Sequence, residues 1–221
     1  GVEVIPGVEV STDVDAWEIH ILGYFVDYTN KEFVSELARF RASRLERART
    51  MLSKLRDLGM PVSWERVKEI AGDGVVGRPH VARAMLEAGH VGSSQEAFDL
   101  YLGRGKPAYV PRLKMTPAGA MHLIRKAGGL PVLAHPWGVT AILGDLVREG
   151  LVGLEAYYTG YSAEMSDHLC RLARQHDLVC TGGSDFHGLE LLPDNHLGQV
   201  YVPGECVEAL RERKRSLDKT N

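Results

Sequence analysis

The feature that most limits the possible folds is a change of hydrophobic rhythm along the chain. After Thr116 the sequence alternates short apolar runs with longer stretches of helical period. The short runs are Leu130-Pro-Val-Leu-Ala-His-Pro136, Leu151-Val-Gly-Leu-Glu-Ala-Tyr-Tyr158 and Asp177-Leu-Val-Cys180, the last leading into Gly182. Helices are predicted before and between them: from Thr116-Pro117, an N-cap followed by a first-turn proline, to Gly128-Gly129, then over Val139 to Glu149 and Ser162 to His176. Strand–helix–strand order of this kind predicts a parallel α/β sheet or barrel. Two more strand-like runs open the chain, Val2 to Ser11, interrupted at Pro6-Gly7, and Trp17 to Val26.

Between the opening strands and Thr116 the rhythm is helical. From Lys31 to about Leu58, apolar residues fall at Phe33, Leu37, Phe40, Leu45, Ala48, Leu52 and Leu55, the stripe of one long amphipathic helix that stops at Gly59. Shorter helices are predicted near Trp64–Ala71, Arg78–Ala88 and Ser94–Leu102. The expected organisation is an α/β domain from residues 1–31 plus 113–221, interrupted by an all-helical subdomain over 32–112. A last strand is expected near Gln199–Val202, then a terminal helix from Glu205 to about Arg213 and a frayed tail from Lys214.

Bulk properties narrow the function classes. The 221 residues are 44% hydrophobic and 25% charged, with a formal net charge of −3, which does not signal wholesale binding to duplex nucleic acid or an anionic membrane. No apolar run reaches the roughly 20 residues that span a bilayer. Cys170, Cys180 and Cys206 are odd in number and lack C-x-x-C spacing, so a cytoplasmic protein with reduced thiols is expected.

Chemistry gathers at the ends of the predicted strands. Thr181-Gly-Gly-Ser-Asp-Phe-His-Gly188 places Asp185 and His187 two residues apart, facing one side if the strand continues through them. His135 follows the run Pro-Val-Leu, and Pro136 is expected to hold it extended. Glu9 sits beside Ser11 and Thr12, and His20 lies between Ile19 and Ile21. Taken singly, each has an ordinary reading as a solvated carboxylate or a core histidine. Together, Glu9, His20, His135, Asp185 and His187 offer three imidazoles and two carboxylates, a donor set suited to Zn, Mn or Fe in a hydrolytic site.

Pro-Gly-Val-Glu-Val-Ser, Glu-Ile-His-Ile-Leu-Gly-Tyr, Ala-His-Pro and Gly-Ser-Asp-Phe-His-Gly, in that order, resemble the PHP (polymerase and histidinol phosphatase) superfamily. Gly77-Arg-Pro-His-Val-Ala-Arg83 and Gly105-Lys-Pro-Ala-Tyr-Val110 resemble the helical insertion of its stand-alone phosphoesterases. The resemblance implies a distorted (β/α)7 barrel with up to three divalent metal ions, Mn foremost with Fe, Zn or Mg as alternatives. It implies hydrolysis of nucleotide phosphate esters, either 3′,5′-bisphosphate nucleotides or the 5′ ends of short RNA, by metal-activated hydroxide. By motif match, Glu9, His20, His135, Asp185 and His187 are the metal ligands, the last three also placed in catalysis. Arg78, His80, Lys106, Arg112 and His196 are candidate substrate contacts; Tyr157 and Tyr158 either line the pocket or pack the barrel. His90, His122, His168 and His176 fall on predicted helices and read as surface residues.

One departure from the family is large. Neither an Asp-x-His-x-His strand nor a Thr-Asp-His-Asp strand end occurs here, and Gly1 falls where the family's third strand begins. The expectation is an N-terminally truncated barrel, strands three to seven, with open edges and weak metal loading. A small-metabolite phosphatase, such as one for histidinol phosphate, and an inactive barrel remnant acting as a binding module remain alternatives.

Overall fold

The computed structural model describes residues 1–14, 17–186 and 195–219. It has a mixed α/β fold, and its contacts divide the chain into a sheet unit, Gly1–Phe33 with Lys114–Asn221, and a helical unit, Val34–Leu113. The division falls in the first turn of α1 (Lys31–Asp57).

The sheet unit is built on five strands: β1 (Gly7–Val14), β2 (Trp17–Tyr24), β3 (Leu130–Leu133), β4 (Gly153–Tyr158) and β5 (Val179–Gly183). They lie side by side in chain order. The parallel arrangement expected from the sequence holds for β3, β4 and β5, whereas β2 runs antiparallel to both β1 and β3. Only two residues separate β1 from β2, far too few for the crossover of a dozen or more that a parallel pair requires. The first strand begins at Gly7, not at Val2, because the register pairs Gly7 with Tyr24, the last residue of β2. Val2 and Val4, with no strand opposite them, stay exposed.

Helices α5 (Pro117–Lys126), α6 (Leu143–Arg148) and α7 (Ala163–Gln175) connect the later strands, and α8 (Gly204–Asp218) closes the unit. Local chemistry sets their starts. Thr116 Oγ1 accepts from the Gly119 amide at 3.1 Å, and Ser162 Oγ accepts from that of Met165 at 3.3 Å. The stretch read as one helix from Val139 opens as a 3₁₀ turn at Thr140–Ile142. The strand expected near Gln199–Val202 is absent among the described residues. That segment approaches β5 through a side chain rather than a ladder, since a Cβ on Gly182 would meet Val202 Cγ2 at 2.9 Å, and Pro203 then offers no amide. Beyond the expected end at Arg213, α8 runs on to Asp218, held by the Arg213 guanidinium on the Asp177 carbonyl at 2.7 Å and by a Lys214–Asp218 ion pair. Leu130, Val132, Val179 and Leu210 form an apolar cluster between sheet and α8.

The helical unit continues α1 with α2 (Trp64–Ala71), α3 (Arg78–Glu87) and α4 (Ser94–Ala97), the last running into a π-helical turn at Phe98–Leu102. Its core, including Met51, Leu55, Val67, Val81, Met85 and Leu102, is its own. At Gly59 the chain takes φ +79° directly after α1, the left-handed turn that ends a helix with little cost to glycine. No helix among the described residues is long and apolar enough to cross a membrane.

Candidate metal centre

Sheet pairing brings the first two candidate ligands together. Ser11 faces His20 across the antiparallel pair, and Glu9, two residues earlier on the same face, is the diagonal neighbour of His20. Glu9 Oε1 lies 2.6 Å from His20 Nδ1. His135, just past the end of β3, adds the third group: its Nε2 is 3.1 Å from His20 Nδ1 and 3.7 Å from Glu9 Oε1. One donor atom from each of the three lies within 4.8 Å of the others. Two imidazole nitrogens and a carboxylate oxygen converging on one point is the geometry a divalent cation fits, and the donor types suit Mn, Fe and Zn alike.

The electrostatics agree with that fit. The imidazoles of His135, 3.7 Å away, and His20, at 2.6 Å, hold the Glu9 carboxyl down at about 2. Glu18, 3.3 Å from His20 Nε2, and then Glu9 raise His20 to about 9 against the desolvation that lowers it. Without a cation, a proton on His20 does the work of satisfying the carboxylates.

The backbone at His135 departs from expectation. A residue before proline favours extended conformations, but His135 sits at φ +29°. A buried carboxylate holds the backbone there: Glu155 Oε2 accepts the His135 amide hydrogen at 2.8 Å. Glu155 is 6% exposed, and desolvation raises its carboxyl to about 7. It belongs to β4, which supplies none of the expected ligands. The same strand reaches the other side. Tyr158 Oη donates to Asp185 Oδ2 at 2.9 Å, and burial followed by that carboxylate pushes the Tyr158 hydroxyl up, so it remains a donor.

Residues three apart on a regular strand face opposite sides. Here the β4–β5 register shifts between Glu155 and Tyr157, and this bulge lets Glu155 and Tyr158 both serve the site end. Glycine makes the bulge possible, since a Cβ on Gly182 would lie 2.4 Å from the Tyr157 carbonyl oxygen. The sequence reading missed Glu155, whose place in an alternating strand looks ordinary; a carboxylate inside the otherwise apolar Gly-Leu-Glu-Ala run was the available signal.

Asp185 is not part of the three-donor group. It lies beyond the end of β5, at φ +53°. Asn195 Nδ2 donates to the Ser184 and Asp185 carbonyls, and Thr159 Oγ1 donates to that of Ser184 at 3.0 Å, which fixes the turn. His187 lies outside the described residues. His196 is exposed on a turn, its amide donating to Gln199 Oε1 at 2.7 Å.

Arg78, His80, Lys106 and Arg112 all lie in the helical unit. Arg78 opens α3 with its guanidinium 5.8 Å from the Phe98 ring centroid. His80 Nδ1 accepts the Gly77 amide at 3.0 Å, and burial lowers its pKa, which keeps the ring neutral. Lys106 is exposed. Arg47, which the helical pattern did not single out, donates to the Val110 carbonyl at 2.7 Å; burial, then the charges of Arg78, Arg112 and Arg44, lowers it to about 10. Four guanidiniums thus share one neighbourhood within this unit.

Comparison with known proteins agrees with this chemistry. No family model matches the chain. A 5′-3′ exoribonuclease of Haemophilus influenzae is 35% identical over 195 residues, covering 85% of this chain and 70% of that one. A 3′,5′-nucleoside bisphosphate phosphatase of Chromobacterium violaceum is 31% identical over 195 residues, covering 85% and 68%. The chain spans 65–70% of the length of its exoribonuclease relatives. Among solved structures, one described as a metal-dependent phosphoesterase, from Bifidobacterium adolescentis, superposes with a TM-score of 0.78 at 28% identity, covering 95% of this chain and 76% of that one. Taken with the Glu9–His20–His135 geometry, these likenesses place the chain in the PHP superfamily of phosphoesterases.

Proposed function

We propose that this chain carries the catalytic site of a metal-dependent phosphoesterase that hydrolyses phosphate esters of nucleotides, either 3′,5′-bisphosphate nucleotides or the 5′ ends of short RNA. The observation that carries the reading is the convergence of Glu9, His20 and His135 on one point. On this reading the sheet unit is part of a distorted (β/α)7 barrel and the helical unit is an insertion into it.

Glu9, His20 and His135 would hold a divalent ion, manganese by preference, with Asp185 and His187 completing the donor set. Such an ion, when bound, neutralises charge on phosphoryl oxygens and makes water acidic enough to yield a nucleophile near neutral pH. The chain's own residues then do three things. Glu155 fixes the backbone that aims His135, and Tyr158 orients the Asp185 carboxylate through its donated hydrogen bond. Within the helical unit, Arg78 and Arg112, with Arg44 and Arg47, concentrate fixed positive charge of the kind a phosphate pairs with. His80, Lys106 and His196 are further contacts for phosphate or base. No side-chain nucleophile is needed, and burial raises the Cys180 thiol to about 12, so it stays protonated.

The test is phosphate release by the complete protein from a panel of 3′,5′-bisphosphate nucleotides, 5′-phosphorylated oligoribonucleotides and histidinol phosphate, with and without manganese. Metal-stimulated release from nucleotides is the expected result. Release from histidinol phosphate alone would move the reading to a metabolite phosphatase. Purified protein that takes up no metal would leave the binding-module reading in its place.

A further inference from the structure

Four aromatic steps lead outward from the three-donor cluster. Starting at His135, ring centroids follow at 5.5 Å to Tyr158, 5.1 Å to Tyr161, 6.3 Å to Trp137 and 5.9 Å to His168. The planes meet at 52–80°, so successive rings in the line are not stacked on one another. The arrangement is fixed as well as aromatic, because the Trp137 amide donates to Tyr161 Oη at 3.1 Å. Tyr158 and Tyr161 also line a hollow of about 520 Å³ whose rim includes Gln199 and Tyr201. No lysine or arginine lines that hollow among the described residues.

Core packing does not account for the outer end of this strip: Trp137 is 49% exposed, while Tyr158 and Tyr161 are half-buried. Large rings left in water beside a polar site are commonly there to meet a ligand. The chemistry of the strip selects the ligand's class. The hollow, with no lysine or arginine lining it among the described residues, offers an anion little, and the exposed indole of Trp137 suits a flat, weakly polar ring. The strip's inner end is one of the three donors, so a ligand whose phosphate sits at Glu9, His20 and His135 has the strip within continuous reach.

We propose that the line Tyr158, Tyr161 and Trp137 is a nucleobase-stacking surface, on which the base of a nucleotide lies while its phosphate is held at the three-donor cluster. This rests on the nucleotide-phosphoesterase reading and sharpens it. Stacking recognises the face that every base shares, so the surface favours base-bearing substrates without choosing among bases.

The experiment compares a 5′-phosphorylated short oligoribonucleotide with a twin that lacks its first bases, using the complete protein and its Trp137→Ala and Trp137→Phe variants. Binding is read separately, by fluorescence anisotropy, with labelled versions of both that carry non-hydrolysable phosphonate groups in place of the 5′-phosphate and of the first phosphodiesters. The wild type is expected to bind the base-bearing probe about tenfold or more tightly than the abasic one, and Trp137→Ala to remove most of that gap. The loss should appear in KM rather than kcat, with Trp137→Phe restoring much of it. Equal effects of Trp137→Ala on both probes, or none on either, would overturn the inference. Base-dependent binding without any hydrolysis would support the stacking surface while removing the phosphoesterase reading. Hydrolysis that ignores the base would do the opposite.

Discussion

The two units differ in what they hold away from water. In the helical unit, Val34–Leu113, the buried side chains among the described residues are all hydrophobic. The buried polar or charged groups, Thr12, Glu155, Thr181, Ser184 and Asn195, all lie in the sheet unit. Backbone strain divides the same way: among the described residues, the non-glycine residues at positive φ, Phe25, His135, Asp177 and Asp185, are all in the sheet unit. Buried polarity and left-handed backbone each cost free energy unless something holds them, and together they mark where a fold has been shaped by chemistry rather than packing. The buried core of the helical unit is held by apolar contacts, its polar bonds lying nearer the surface. Substitutions at the polar groups of the sheet unit should therefore change metal and activity more than stability, and core substitutions in the helical unit the reverse.

The largest expected effect is at Asp185. Asp185→Ala should leave far-ultraviolet circular dichroism unchanged while lowering metal-stimulated phosphate release roughly a thousandfold or more, the several kcal/mol of transition-state stabilisation that a correctly held metal supplies. Full activity in a well-folded Asp185→Ala protein would remove Asp185 from the site.

Next in size is the strand that holds its neighbours. Glu155→Leu deletes the acceptor for the His135 amide, and a loss of metal affinity of about 10- to 100-fold is expected. Glu155→Gln keeps an oxygen acceptor and should retain most of the affinity. If both variants lose metal equally, the carboxylate acts by charge and not by fixing the His135 backbone. Tyr158→Phe removes only the hydroxyl on Asp185 and should fall between them, with elemental analysis after dialysis as the common readout.

A graded effect follows from His20. Glu18 and Glu9 raise its folded pKa to about 9, so in the metal-free protein the ring is protonated at neutral pH. A metal needs the ring deprotonated, and uptake must release that proton. Apparent metal affinity should then climb as pH rises toward about 9 and level off above it. Glu9, held at about 2, is ionised throughout and adds no slope. Calorimetry in buffers of different ionisation heat counts the protons released. Zero proton release at pH 7 would mean that the pair does not carry the proton the geometry assigns it.

How much of this could be read from the residues alone depended on whether the signal was local. Pro117–Lys126 was announced by its own cap, Thr116, and needed nothing distant. Strand direction was not local. Runs of valine and isoleucine do not record which neighbour they pair with, and the antiparallel β2 emerged only from the register. The site divides similarly. Glu9, His20 and His135 stood out as chemistry-bearing residues, but the diagonal that joins Glu9 to His20 exists only once Ser11 faces His20. The role of Glu155 was not legible because its partner is a backbone amide just past the end of another strand, and the bulge beside it has no signature beyond two small residues, Ala156 and Gly182.

The smallest effect on the metal site should come from the helical unit, and it tests the contrast most directly. Leu55 is fully buried in that unit's core beside Met51 and Met85. Leu55→Ala removes three carbons and leaves a cavity, at a cost of about 2–5 kcal/mol. Thermal unfolding should shift to lower temperature, by several degrees, while metal bound per folded chain stays at the wild-type value. Stoichiometry is the right readout here, because it counts occupied sites without asking how fast they turn over. A variant that remains helical at 20 °C yet has lost its metal would show that the packing of the helical unit and the polar site are one cooperative structure, and the contrast between the two units would no longer hold.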